Sequence, residues 1–221
     1  MQTIHTTTIR FPELKLHPSA GHKLRGYFGN LFKERSPLLH NHLADGRSQY
    51  RYPLVQYKVI DKIPTLVGIE EGATLLAELF LSIKELRLEA QTYPLYSKNI
   101  TTRKVEVGVT PASLQEYCFK TLWFSFNERN YRAYQNTPAA ERTDFLQRIL
   151  VGNILSFFKG VDYRANERIL VKLNAQHHYT QFKNQKMQAF SGSFVTNVSL
   201  PDGIGLGKSV ARGYGAVLSE K

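Results

Sequence analysis

The sequence predicts an α+β fold of two tandem ferredoxin-like units, residues 1–110 and 111–221, each an antiparallel sheet with helices on one face. Three observations predict it. First, 221 residues hold one large domain or two small ones, and 42% hydrophobic with 12% aromatic residues is the composition of a folded core, not of a disordered tail. Second, apolar residues in the first half switch between strand and helix periods in the order β-α-β-β-α-β. Third, the second half begins in the same order and places a glycine-rich segment where the first half has its second helix. No sequence repeat of about 20 to 50 residues is visible, so the duplication rests on element order alone.

Thr3 to Phe11 is β-branched and reads as a strand, with Pro12 and Pro18 bracketing a turn region. Ser19 is a plausible N-cap for a helix whose Leu24, Tyr27, Phe28, Leu31 and Phe32 share one face, leaving Lys23, Arg25 and Lys33 off it. Arg35 to Tyr52 has no clear period, and a connection that long is usually functional or disordered. Leu54–Ile60 and Ile63–Ile69 flank Asp61-Lys62 as a two-residue hairpin. Glu70 to Ser82 has helical spacing through Leu75, Leu76, Leu79 and Phe80. Leu86, Leu88 and Ala90 then alternate with charges as the closing strand, and an extra strand or hairpin is expected around Ile100 to Val109.

In the second half, Tyr117 to Phe126 is strand-like. Glu141 to Lys159 is a helix with Leu146, Ile149, Leu150, Ile154, Phe157 and Phe158 inward, and Arg168–Leu173 and Gln188–Val198 are strands.

Charge narrows the partner. Twenty-nine Lys and Arg against 18 Asp and Glu give a net charge of +11, spread over both halves, and a pI near 9.7 on a folded chain favours nucleic acid or an anionic surface. The amino terminus is polar and Leu66–Ile83 is broken by Glu70, Glu71 and Glu78, so the expectation is a soluble cytoplasmic protein with no membrane partner. Cys118 is the only cysteine, which excludes an intrachain disulfide and a cysteine-based zinc site; among Tyr117, Phe119 and Leu122 it reads as a packed thiol.

The segment Gly203-Ile-Gly-Leu-Gly-Lys-Ser-Val-Ala-Arg-Gly-Tyr-Gly215 carries most of the functional signal. Glycine lets backbone amides approach phosphate oxygens, and Lys208 and Arg212 add cations. A nucleotide-triphosphate loop needs a glycine where Asp202 stands, and a dinucleotide fingerprint needs one where Lys208 stands, so neither motif fits.

This segment, together with Gly21-His-Lys-Leu-Arg-Gly-Tyr-Phe-Gly-Asn-Leu-Phe32 and more softly Tyr52 to Gly72, resembles the repeat-associated RNA-binding (RAMP) superfamily of CRISPR systems. Within it the chain is most similar to the endoribonuclease that processes CRISPR repeat precursor RNA. The resemblance implies the duplicated RRM-like fold over nearly the whole chain, CRISPR repeat RNA as partner, and a reaction without metal or other cofactor. In that reaction the ribose 2′-hydroxyl attacks the adjacent phosphate, leaving a 2′,3′-cyclic phosphate and a 5′-hydroxyl. It also implies an active site around the first helix and the loop 33–52, which hold Lys33, His40, His42 and Tyr50.

Histidine suits both proton roles because its unperturbed pKa is near neutral. His40 and His42, two apart, share a face in an extended segment. Lys33 is then the candidate to neutralise the phosphate and Tyr50 to position it. His22 is a reserve base. Arg25, Arg47, Arg51, Gly205, Gly207, Lys208, Arg212, Gly213 and Gly215 are the candidate RNA contacts, with Arg103 and Lys104 extending the track. His177 and His178 lie near Tyr179 and Phe182, where they would stack on bases or serve the fold.

The alternative of a different class is a non-catalytic RAMP subunit that holds guide RNA beside other CRISPR effector subunits, which needs the glycine segment but not the histidine pair. Monomer and homodimer are both compatible with the sequence.

Overall fold

The computed structural model describes residues 1–32, 52–182 and 185–220. Two compact units divide the chain: Thr3–Val105 with Val210–Gly213, and Met1–Gln2 with Glu106–Ser209 and Tyr214–Lys221. They are called here the N-terminal and C-terminal units.

The N-terminal unit runs β1 (Gln2–Arg10), α1 (Gly21–Leu31), β2 (Val55–Ile60), β3 (Ile63–Ile69), α2 (Glu71–Leu79), β4 (Glu85–Leu88), β5 (Gln91–Pro94) and β6 (Asn99–Val109). Its sheet order is β6-β1-β3-β2, with β1 and β2 both antiparallel to β3. Asp61 (φ 51°) and Lys62 (φ 65°) are both left-handed, the conformation that a two-residue turn needs to match strand twist. Leu24 and Phe28 of α1 and Leu76 and Leu79 of α2 enter one cluster with Ile9, Phe11, Tyr57 and Leu66, so both helices cover the same face. Phe28 stacks at 5.8 Å on Tyr57 and 6.3 Å on Phe11, and burial of a side chain this size is worth about 1.5–3 kcal/mol.

One strand assignment is corrected. The segment expected to close the sheet, Leu86 to Ala90, pairs instead with β5 in a separate two-stranded ribbon, and β6 takes the fourth position beside β1. The apolar alternation of Leu86 and Leu88 is real, because both are buried in the helix-side cluster. The β6 signal is weak because Thr101 to Lys104 is polar and exposed and meets β1 partly through hydroxyls, with Thr7 Oγ1 3.0 Å from Thr102 Oγ1.

The C-terminal unit contains β7 (Gln115–Phe119), α3 (Glu128–Gln135), α4 (Arg142–Gly160), β8 (Val171–Phe182), β9 (Gln185–Thr196), β10 (Val198–Ser199) and β11 (Val217–Ser219). Its main sheet has the order β11-β7-β9-β8, and β10 pairs with the last residues of β6. Counting only the four strands β1, β2, β3 and β6 of the first sheet and β7, β8, β9 and β11 of the second, both read fourth, first, third, second, the ferredoxin-like arrangement. In α4, Leu146, Leu150, Ile154, Phe157 and Phe158 form the buried stripe, and Trp123, fully buried, donates from Nε1 to Asn153 Oδ1 at 3.0 Å.

The strand expected over Tyr117 to Phe126 stops at Phe119 and resumes as a single bridge, Trp123 to Phe190. α3, which has no counterpart in the sequence reading, is capped by the Asn127 side chain accepting from the Asn130 amide at 2.7 Å. β8 and β9 pair in continuous register from Val171 with Thr196 to Phe182 with Gln185, well beyond the expected strands. Among the described residues, no helix is long and apolar enough to cross a membrane.

Candidate nucleic-acid interface

The glycine-rich tail folds as two close-packed extended segments. Gly205 and Ala216 face each other across an antiparallel bridge. Around it the Gly203 amide donates to Val217 O (2.7 Å), Val217 to Ile204 O (3.0 Å) and Leu206 to Gly215 O (2.9 Å). The Lys208 amide donates to Phe124 O (2.8 Å) and the Gly215 amide to Leu122 O (2.9 Å). The amides of Gly203, Leu206, Lys208 and Gly215 therefore serve the fold and do not turn toward a phosphate. Gly207 packs on Trp123 and the Phe124 carbonyl, and Tyr214 stacks on Phe124 with centroids 3.9 Å apart. What this segment offers outward is the Lys208 side chain, which is exposed next to Ser209 at φ 55°.

Val210–Gly213 belongs to the N-terminal unit, where it runs beside β2 and the start of α1. Backbone approach is close: a Cβ on Gly21 would lie 2.7 Å from Arg212 O, so the first residue of α1 and the tail fit only without a side chain there. The tail also explains β2. That strand ends the sheet order yet is buried at every position, including Lys58, whose Nζ donates to Val210 O at 3.3 Å. Arg25, one turn into α1, is half-buried; burial first and the neighbouring Arg212 second pull its pKa below the usual guanidinium range. Arg25 and Arg212 are thus brought into one electrostatic neighbourhood, where an added anion relieves their repulsion.

Lys58 was not singled out by the sequence, since a lysine in Tyr-Lys-Val-Ile reads as the outward residue of an alternating strand. Burial carries its pKa from 10.5 down to about 7. In the unfolded chain the ammonium regains its ordinary value, so between pH 7 and about 10 the unfolded state holds a proton that the folded state has lost. Stability from this group therefore rises with pH across that window, and below pH 7 its burial penalty is present in full. The expected total is on the order of 3–5 kcal/mol. Urea unfolding at pH 7 and pH 9.5 checks it: the wild type gains stability, and Lys58→Met removes most of that gain.

The remaining candidates are dispersed. Lys33, His40, His42, Arg47, Tyr50 and Arg51 lie outside the described residues. His22 is exposed near the start of α1, with Nδ1 2.6 Å from Ser19 O. Arg103 and Lys104 are exposed on β6. His177 and His178 lie on β8, His178 with Nε2 2.7 Å from Ser191 Oγ. Among the described residues, no cluster of three or more His, Cys, Asp or Glu side chains is placed to hold a metal ion.

Comparison with known proteins adds the decisive observation. Residues 2–106 match the Cas6b N-terminal domain family and residues 109–219 the Cas6b C-terminal domain family. The chain belongs to the Cas6b family. A crystal structure of Cas6b, 33% identical, superposes at a TM-score of 0.94 over 99% of this chain and 100% of that one. A second, a CRISPR RNA processing endoribonuclease Cas6b, is 31% identical with a TM-score of 0.80 over 99% and 100%. An uncharacterized protein of Methanocaldococcus jannaschii is 31% identical over 144 residues, 65% of this chain and 97% of that protein. In this Cas6b chain the glycine-rich tail, expected as a polyanion cradle, is first an architectural device. It closes the C-terminal sheet through β11 and carries Arg212 to Arg25.

Proposed function

We propose that this Cas6b chain is a metal-independent endoribonuclease that cuts CRISPR repeat RNA and leaves a 2′,3′-cyclic phosphate. The observation that carries the reading is family membership over both halves, together with 31% identity along the chain to a Cas6b described as a CRISPR RNA processing endoribonuclease. In the proposed reaction one of His40 and His42 removes the 2′-hydroxyl proton as the oxygen attacks the adjacent phosphorus. The other protonates the departing 5′-oxygen. Lys33 neutralises charge gathering on the phosphorane and Tyr50 holds a phosphate oxygen. Neither step requires a cofactor.

RNA phosphates are held by cationic side chains, with Arg25, Arg212, Lys208, Arg47 and Arg51 the candidates. The product guide RNA is what other CRISPR effector subunits would receive, and the protein acts as monomer or homodimer.

The test is to incubate the protein with end-labelled RNA of the repeat encoded beside its gene. One cut at a fixed position supports the reading; tight binding without a cut favours a guide-RNA-holding subunit. Lys208 makes the binding half quantitative. Its side chain is exposed, so Lys208→Ala leaves stability unchanged while the slope of log affinity against log salt becomes shallower by about one. An unchanged slope removes Lys208 from the RNA contacts.

A further inference from the structure

Lys58 is a costly residue to place where it stands. An amine with no exposure to water is harder to bury than the valine and isoleucine that its neighbours in β2 supply, so its presence calls for a local task. Val55, Tyr57 and Val59 enter the helix-side cluster, and the strand period of two turns Lys58 to the other face. There its Nζ donates to Val210 O at 3.3 Å. The same oxygen closes the short helical turn Val210–Arg212, accepting from the Gly213 amide at 3.5 Å, the outer limit of a hydrogen bond. The turn therefore holds itself weakly, and Lys58 grips the atom around which it closes. Its far end is fixed by contact: a Cβ on Gly213 would meet Gly21 Cα at 3.3 Å and Tyr57 O at 3.5 Å. Val210, Ala211 and Gly213 are buried, and of these four residues Arg212 alone is partly exposed.

We propose that Lys58 is a positioning residue for RNA binding, which pins the Val210 carbonyl so that the turn presents Arg212, beside Arg25, to an RNA phosphate. The proposal rests on the RNA reading above. Lys58 itself is sealed from solvent and touches no phosphate, so its effect on RNA passes through the turn. A guanidinium already in place loses less freedom on meeting a phosphate than one carried on a loose turn, and the difference appears as affinity. Arg25 sharpens the demand. Two cations in one neighbourhood repel, and the bond from Lys58 to Val210 O opposes the drift of Arg212 away from α1.

The experiment is a double-mutant cycle on RNA affinity. Fluorescence anisotropy with 5′-labelled repeat RNA is run from low to high salt on the full-length wild type, Lys58→Met, Arg212→Ala and the double variant, at a temperature where thermal melts show each to be folded. Lys58→Met is expected to weaken binding by at least about threefold and to make the slope of log affinity against log salt shallower by about one, although no phosphate reaches the replaced side chain. The double variant binds like Arg212→Ala alone, because both substitutions remove the same contact. Lys58→Gln, whose side chain is shorter than lysine and loses Val210 O, gives the same pattern and takes the place of Lys58→Met if that variant does not fold. Wild-type affinity and slope in Lys58→Met overturn the proposal while leaving the RNA reading intact. So do losses that multiply in the double variant, which make the role of Lys58 a general one in the fold. An Arg212→Ala variant that binds like the wild type overturns the proposal as well, and a wild type that binds no RNA overturns both.

Discussion

Gly215→Ala is expected to remove roughly 3–5 kcal/mol of stability, a large share of what a domain of this size possesses. Gly215 has φ 66°, and a Cβ on it would sit 1.9 Å from the Leu206 carbonyl oxygen. That oxygen belongs to backbone, so no side-chain rotation relieves the overlap; the two extended segments must separate. Separation breaks the Leu206 amide bond to Gly215 O and the Gly215 amide bond to Leu122 O, both at 2.9 Å, in a buried setting where lost partners are costly. The contrast is Gly152, within α4, where nothing lies within 4 Å of an added Cβ. Gly152→Ala is expected to stabilise by about 0.5–1 kcal/mol because alanine loses less backbone freedom in a helix. Urea unfolding of the two variants beside the wild type should give shifts of opposite sign. A Gly215→Ala midpoint equal to the wild type would mean that the tail is not packed as described.

His40→Ala and His42→Ala carry the largest expected effect on chemistry. In the proposed reaction each removes one of two proton transfers, and a positioned acid or base typically contributes about 10²–10⁴-fold. Single-turnover cleavage of repeat RNA should fall by that factor in each variant while RNA affinity changes by less than about twofold, since phosphate contacts made by arginine and lysine remain. The wild-type rate should pass through a maximum with pH, because one histidine must be neutral and the other protonated. Two variants that cut at the wild-type rate would transfer the chemistry elsewhere, with His22 the next residue to replace.

The parts of the fold legible in the sequence are those with a local cause. Asp61-Lys62 between two apolar runs specified the β2–β3 hairpin, and the helical stripes through Leu24 and Phe28, Leu76 and Leu79, and Leu150 and Ile154 specified α1, α2 and α4. What stayed hidden depends on distant partners. β6 exposes threonine, arginine and lysine and joins the sheet only because β1 lies beside it. The polar run Ala175 to Gln181 lacks strong alternation and is a strand because β9 pairs with it residue by residue. α3 places only Tyr134 in the core, so Glu128 to Gln135 has no apolar stripe to read.

The candidate site divides the same way. Glycine content predicts backbone approach to a phosphate, but composition does not distinguish that from approach to another strand, and in the structure Leu206 O and Phe124 O lie against Gly215 and Gly207. The burial of Lys58 follows from Val210 returning over β2 from 152 residues away, which no local pattern announces.

The most direct test of metal-independent RNA cleavage is to react the wild-type protein with repeat RNA in excess EDTA and to weigh the upstream fragment by mass spectrometry. A single cut at full rate, whose upstream fragment ends in a 2′,3′-cyclic phosphate and whose downstream fragment starts with a 5′-hydroxyl, is the predicted result. A cut that appears only when a divalent cation is restored, or that leaves a 5′-phosphate and a 3′-hydroxyl, would contradict attack by the ribose 2′-hydroxyl and the roles assigned to His40 and His42.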